Sequence, residues 1–258
     1  MCALRLSPGL ANEMASGFGV RDALSSAVLR IYSGAQPATA DLAPVGTLLG
    51  TFTLSGAALT GPVKATATIQ LTGGAGGSID TVTVGGSIPL IGAAVAFNGT
   101  LAQTAADLAT AINAYSNGMN ITASVLTDTV TLSAPFWIGA GANGLTLGVT
   151  KTTITTTEDA TFASGVNAAN GLNWNHPAVS GVLSKESTSW QMTAVATGTA
   201  QSFRFEADPG DTQGISTSFV RLDGSIATSN ADLNLSSTSI VTGGVYTINS
   251  WTLTVPKV

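Results

Sequence analysis

Ala67-Thr68-Ile69-Gln70-Leu71 is followed by Gly73-Gly74-Ala75-Gly76-Gly77, and then by Ile79-Asp80-Thr81-Val82-Thr83-Val84-Gly85-Gly86. These are two β-branched runs separated by a glycine cluster and closed by a glycine pair. Val82 and Val84 alternate with threonine, the period-two pattern of a half-buried strand. The first cluster reads as a turn. Gly85-Gly86 reads as a hairpin loop, because glycine reaches the positive φ that tight hairpins need. A helix comes next. Thr100-Leu101-Ala102-Gln103 has the form of a capping box, in which hydroxyl and amide reciprocally satisfy orphan backbone donors. Leu101, Ala105, Leu108 and Ile112 then fall on one apolar stripe, and Asn117-Gly118 supplies a left-handed stop. Residues 121–126 and 129–133 read as two more strands around Thr127-Asp128. The sum is a β-β-α-β-β unit over residues 63–164, with a helix that covers one sheet face. The threonine-rich run 152–157 reads as a strand leading out of it.

Outward from this unit the pattern changes. Ser7 offers an N-cap with Pro8 at the first helical position. Leu10 and Met14 lie four apart on one helical face, and Gly17 and Gly19 end the element. A short helix is predicted over 21–26, a strand over 28–32 and an ordered loop over 35–44. A further strand covers 47–54, with Leu48, Phe52 and Leu54 on its buried face. After residue 171, short strands are predicted at 190–196, 201–206, 218–222, 232–235 and 245–255. Turns spaced in this way mark a sandwich or barrel, with Trp174, Trp190 and Trp251 in its core. The expected fold class is therefore mainly β. A discontinuous sandwich- or barrel-like domain (residues 1–62 plus 165–258) carries an inserted α+β unit (63–164) in a loop, an insertion that surface loops tolerate.

Charge is scarce. Only 9% of the 258 residues are Asp, Glu, Lys or Arg, against about 25% in an ordinary soluble domain. Between Lys64 and Lys151 the only charges are Asp80, Asp107 and Asp128. Thr, Ser, Asn and Gly must supply the polar surface, a pattern that favours packing against copies of the chain or other partners. The net charge of -5 and nine dispersed cations build no basic face, so nucleic acid is not an expected partner. Cys2, the one cysteine, excludes a disulfide framework and thiolate-rich zinc sites. No apolar run reaches the ~18–20 residues of a spanning helix, and the N-terminus does not read as a secretion signal. Synthesis and retention in a cytoplasm until assembly are expected, with no membrane partner.

Few residues invite chemistry. His176 is the single histidine, and no serine sits in a G-x-S-x-G elbow, so it reads as a loop histidine. Glu206, Asp208 and Asp211 with Asp223 form the densest acidic patch. Their oxygens can be weighed as a Ca²⁺ site, although the spacing matches no EF-hand loop, or as a glycosidase pair. A solvated acidic loop is the preferred reading. Gly73 to Gly77 lacks the Lys-Ser or Lys-Thr of a phosphate loop. Phe136, Trp137 and Ile138, beside the glycine-rich stretch 139–144, are either a candidate contact tip or a plug at the end of the inserted unit's core. No catalytic residue, cofactor or metal is assigned.

The flanks carry a resemblance. Leu29-Arg30-Ile31-Tyr32-Ser33-Gly34-Ala35-Gln36-Pro37-Ala38-Thr39-Ala40-Asp41 with Gly46-Thr47-Leu48-Leu49 is similar to the start of small virion structural proteins of tailed bacteriophages and prophages. Ala196-Thr197-Gly198-Thr199-Ala200 and Phe203-Arg204-Phe205 resemble their central part. Asp223-Gly224-Ser225-Ile226, Asp232-Leu233-Asn234-Leu235 and residues 248–256 resemble their C-terminal strands. The middle, residues 67–147, resembles a β-β-α-β-β module of phage tail and surface proteins. The resemblance implies a non-enzymatic virion subunit, at the head–tail neck, tail or fibre, made in the bacterial host cytoplasm. Its implied partners are copies of itself and other virion proteins. A capsid decoration protein and a receptor- or glycan-binding module, with Trp137 touching a host surface glycan, are the alternatives.

Overall fold

A computed structural model describes residues 4–15, 19–115, 119–177, 179, 181–207 and 210–254. The chain divides into two compact units, Met1–Gly61 with Ala168–Val258, and Pro62–Asn167. The first unit opens with β1 (Arg5–Leu6), α1 (Pro8–Ala15), α2 (Val20–Ala23), β2 (Val28–Tyr32) and β3 (Leu48–Leu54). The second holds β4 (Thr66–Gly73), β5 (Ser78–Val84), β6 (Ile88–Pro89), β7 (Val95–Ala96), α3 (Leu101–Ala114), β8 (Thr122–Leu126), β9 (Thr129–Ser133), a 3-10 turn (Phe136–Ala142), β10 (Leu147–Thr152) and β11 (Thr155–Glu158). The first then resumes with β12 (Val182–Ser184), β13 (Trp190–Thr193), β14 (Gly198–Thr199), β15 (Ser202–Glu206), β16 (Arg221–Ala227), β17 (Leu233–Asn234), β18 (Ser239–Ile240), β19 (Val245–Ile248) and β20 (Thr252–Thr254). The protein is mainly β, as its β-branched and glycine-rich composition requires.

In the first unit an eight-stranded sheet runs β1-β16-β15-β2-β3-β13-β19, with β17 added in parallel to β16. Side chains alternate across it, so Phe203 and Phe205 of β15 face one side while Ser202, Arg204 and Glu206 face the other. The phenylalanine side meets the tryptophans. Trp174 and Trp190 pack edge to face with centroids 5.2 Å apart, and Phe205 lies 5.0 Å from Trp251. Each such contact contributes about 0.5–1.5 kcal/mol beyond simple burial. Ser7 caps α1 by accepting the Leu10 N–H at 3.1 Å, and its hydroxyl donates to the Phe219 carbonyl. Leu10 is fully buried but Met14 is 38% exposed, so only the first turn of that face enters the core. Gly17 lies outside the described residues.

Several sequence boundaries move. In β3 the buried residues are Leu49, Gly50, Phe52 and Thr53, with Leu48 and Leu54 half-buried. A bulge is the cause: Ile31 pairs with Gly50 but Tyr32 with Leu48, which leaves Leu49 as the extra residue and breaks the alternation. The strand expected at 218–222 begins at Arg221 and runs to Ala227, and the one expected at 245–255 is two strands separated at Asn249–Trp251. Val255 lies outside the described residues.

The second unit holds two antiparallel sheets, β11-β4-β9-β8 and β10-β5-β6 with β7 also on β5. β4 and β5 do not pair with each other. The cluster Gly73 to Gly77 is a corner that carries the chain from one sheet to the other, and its partner ribbon turns the same corner between β10 and β11. The threonine run read as one strand therefore breaks at Thr153, which takes φ 67°. Gly77 has φ +88°, and a Cβ there would run into the Thr152 carbonyl, so glycine is required where the ribbons cross. Gly85 and Gly86 do form the expected hairpin loop, both at positive φ, between β5 and β6. Helix α3 lies against β4, β8 and β9. Its buried Ala105, Leu108 and Ile112 join Ile69, Leu71, Ile79, Val82 and Leu132 in one core. The capping box is half made: Thr100 Oγ1 accepts the Gln103 N–H at 3.1 Å, but Gln103 Nε2 donates to Asp107 and the Thr100 N–H goes to the Asn98 carbonyl. The stop predicted at Asn117-Gly118 lies outside the described residues.

Candidate functional site

The acidic patch is where the sequence places most chemistry, and it belongs to the charged face of β2, β15 and β16. Register brings Arg204 opposite both Arg30 and Asp223, and Glu206 opposite Arg221. Arg204 grips Asp223 through two parallel bonds, Nε to Oδ1 and Nη2 to Oδ2, both 2.7 Å. Arg30 Nε donates to Glu206 Oε2 at 2.6 Å and its Nη2 to Oε1 at 3.2 Å. Arg221 makes the same fork on Asp211, and both of those side chains are fully buried. Bidentate forks of this kind are the strongest charge-assisted hydrogen bonds available.

The surrounding loops complete the arrangement. Arg204 Nη2 also donates to the carbonyls of Ala40 and Leu42, and Arg221 Nη1 donates to that of Asp41. The loop predicted at 35–44 is thus tied down by guanidinium groups beneath it. Gln213 links the carboxylates: its N–H donates to Asp211 Oδ1, its side-chain amide donates to Glu206, and Tyr32 Oη donates to its Oε1. Burial pushes the Glu206 and Asp223 carboxyls above the usual carboxylate range, against the pull of Arg30 and Arg204 respectively. Burial also raises the Tyr32 phenol to about 12, with the Arg30 charge opposing.

This corrects the solvated-loop reading of the patch. Glu206, Asp211 and Asp223 are 4%, 7% and 1% exposed, and each is neutralised by an arginine that sequence adjacency did not reveal. Oxygens engaged in this way are not free to ligate Ca²⁺, and no acidic or histidine cluster fit to hold a metal occurs among the described residues. Nor are they free as a general acid and nucleophile. Asp208 lies outside the described residues.

Phe136, Trp137 and Ile138 open the 3-10 turn of the second unit. Phe136 is buried, Trp137 and Ile138 are half-buried, and Ile138 packs against the core. The Phe136 and Trp137 rings meet edge to face at 5.1 Å. The glycine stretch behind them is pinned: Asn167 Oδ1 accepts the Ala140 N–H, and the Asn143 side chain bonds both the N–H and the carbonyl of Gly165.

His176 is exposed and lines a cleft of about 410 Å³ with Arg21, Asp22, Asn173, Trp174 and Glu186. Arg21 is committed to Asp22, and Trp174 turns its Nε1 inward to the Leu24 carbonyl.

Lys185 was not singled out from the sequence. It is 6% exposed, its Nζ donates to the carbonyls of Glu186 and Thr188, and it sits 5.5 Å over the Trp190 ring. Burial lowers its pKa. The ammonium braces the Lys185-to-Thr188 turn against the aromatic core through backbone bonds and a cation–π contact. Its neighbours in sequence carry no signal of this, since the partners are backbone carbonyls.

No family model, curated protein or solved structure matches this chain.

Proposed function

We propose that this chain is a non-enzymatic structural subunit of a tailed-phage virion, a head–tail neck, tail or fibre-associated component that works by assembly. It is made in the host cytoplasm and joins copies of itself and other virion proteins. One observation carries this reading: only 9% of the residues are charged, and several of those charges are spent in the interior rather than on the surface. Arg204, Arg221, Asp211, Asp223 and Glu206 are buried, so the surface is no richer in charge than the composition. Such a surface suits permanent contact better than free solution. The phage-like segments of the flanks, which include Arg30, Arg204 and Asp223, supply the virion context.

Particles purified from an infected or induced host should contain the subunit, and antibody labelling or image reconstruction should place it at the neck, tail or fibres. Its position on the capsid surface would instead favour the decoration alternative. Complete absence from particles that are otherwise intact would overturn the virion reading.

A further inference from the structure

The eight-stranded sheet ends at β19, which is bonded on one side to β13. The Ala194 N–H donates to the Gly244 carbonyl at 2.9 Å. Because antiparallel pairs alternate between bonded and non-bonded, the main-chain groups of Val245 and Thr247 point away from β13. No described residue takes them up. The Val245 side chain is 68% exposed and that of Thr247 is exposed as well. Tyr246 folds back, its hydroxyl accepting the Val241 N–H at 2.7 Å, and so holds the preceding turn firm. Beside the strand lies a groove of about 370 Å³ with Phe52 and Met192 among its lining and Asn234 to Ser237 on its wall.

Natural sheets blunt such edges with charge, proline or a covering side chain. The second unit does so: at its edge strand β8, the Asn113 side chain bonds both the N–H and the carbonyl of Ala123 at 2.8 Å. At β19 no charge, proline or covering side chain occurs among the described residues. From Leu233 to Thr254 the sequence has no Asp, Glu, Lys, Arg or Pro.

We propose that β19 is a self-assembly edge, pairing antiparallel with β19 of a second copy across a two-fold axis. With Tyr246 opposite its symmetry mate, Val245 of one copy and Thr247 of the other exchange both main-chain bonds. The neutrality of the segment points to a second copy as the occupant. Across this two-fold axis Tyr246 faces its own mate, and each outward residue has its own copy as a diagonal neighbour, so a lone charge here would sit near its own sign and be destabilising. With a net charge of -5, copies repel in general, and this uncharged stretch is where approach is least opposed. The contact names the surface for the self-association in the proposed function and rests on that part of it.

The test compares wild type with Thr247→Lys and Thr247→Pro by sedimentation velocity across a concentration series, with circular dichroism to verify the fold. Thr247 faces solvent, so the lysine leaves the protomer intact while placing like charges at the joint. Wild type should dimerise, and both variants should dimerise at least tenfold more weakly. Amides of Val245 and Thr247 should be protected from hydrogen exchange at high wild-type concentration and unprotected in Thr247→Lys. A wild type that stays monomeric overturns both this contact and the self-association reading. A wild type that associates equally well as Thr247→Lys overturns the contact alone.

Discussion

Arg204 and Asp223 sit opposite each other on adjacent strands, joined by two 2.7 Å hydrogen bonds, with each side chain 1% exposed. Desolvating both ions costs much of what their attraction returns, so the pair fixes strand register and loop position more than it adds stability. Breaking it from one side is another matter. Asp223→Ala leaves a buried guanidinium uncompensated and should destabilise the protein by about 3–5 kcal/mol, measured by urea denaturation. The double variant Arg204→Met with Asp223→Leu should recover part of that loss, the remainder reflecting the Ala40 and Leu42 carbonyls that lose their Arg204 donor. If the double variant is no more stable than Asp223→Ala, the pair contributes stability in its own right.

Glu206 gives a pH signature. Its carboxyl is raised in the folded protein by burial, so between the unfolded and folded pKa values the native state binds more protons than the unfolded one. The contribution of this group is therefore fully present below the ordinary carboxylate pKa and is lost as pH rises through the raised value. Glu206→Gln removes the titration. The stability difference between Glu206→Gln and wild type should thus move in the variant's favour as pH rises from about 4 toward neutrality. Thermal melts across that range provide the check, and movement in the opposite direction would show that Arg30 outweighs desolvation.

Asn113 makes a prediction about solubility. Its amide satisfies the outward N–H and carbonyl of Ala123 on edge strand β8, where Leu126 is 79% exposed. Asn113→Ala uncovers that edge to water, so it should cost only about 0.5–1.5 kcal/mol, with turbidity on warming appearing earlier than in wild type. Unchanged turbidity at equal loss of stability would mean that β8 is protected by something else.

The elements were legible where local periodicity sets them, as in Ile79-Asp80-Thr81-Val82-Thr83-Val84 and in the stripe of α3. Sheet partnership was not, because Gly73 to Gly77 has the same composition whether it closes a hairpin or turns a corner between sheets. Which strand lies beside β4 is decided by β9 and β11, far along the chain. The acidic patch failed for a related reason. Glu206 and Asp211 are neighbours in sequence, but Arg30 is 176 residues from Glu206. A usable signal existed in Ser202-Phe203-Arg204-Phe205-Glu206 and Arg221-Leu222-Asp223. Each alternates charged with apolar residues, and antiparallel pairing sets opposite signs against each other. Phe136 is likewise undecidable from sequence, since a buried plug and an exposed tip both need bulky residues beside glycine.

The helix cap separates two residues that the sequence treats as equals. A full capping box makes Thr100 and Gln103 reciprocal, so both truncations would weaken α3. Here Thr100 Oγ1 accepts the Gln103 N–H, while the Thr100 N–H is already satisfied by Asn98 and the Gln103 amide turns outward to Asp107. Thr100→Ala should therefore cost about 1 kcal/mol. Gln103→Ala loses only an exposed side-chain bond one helical turn away, worth about 0.2–0.5 kcal/mol, an amount that alanine's better helix propensity offsets in part. Chemical denaturation of the two single variants decides the matter. A loss at Gln103 equal to that at Thr100 would mean that the reciprocal bond forms in solution.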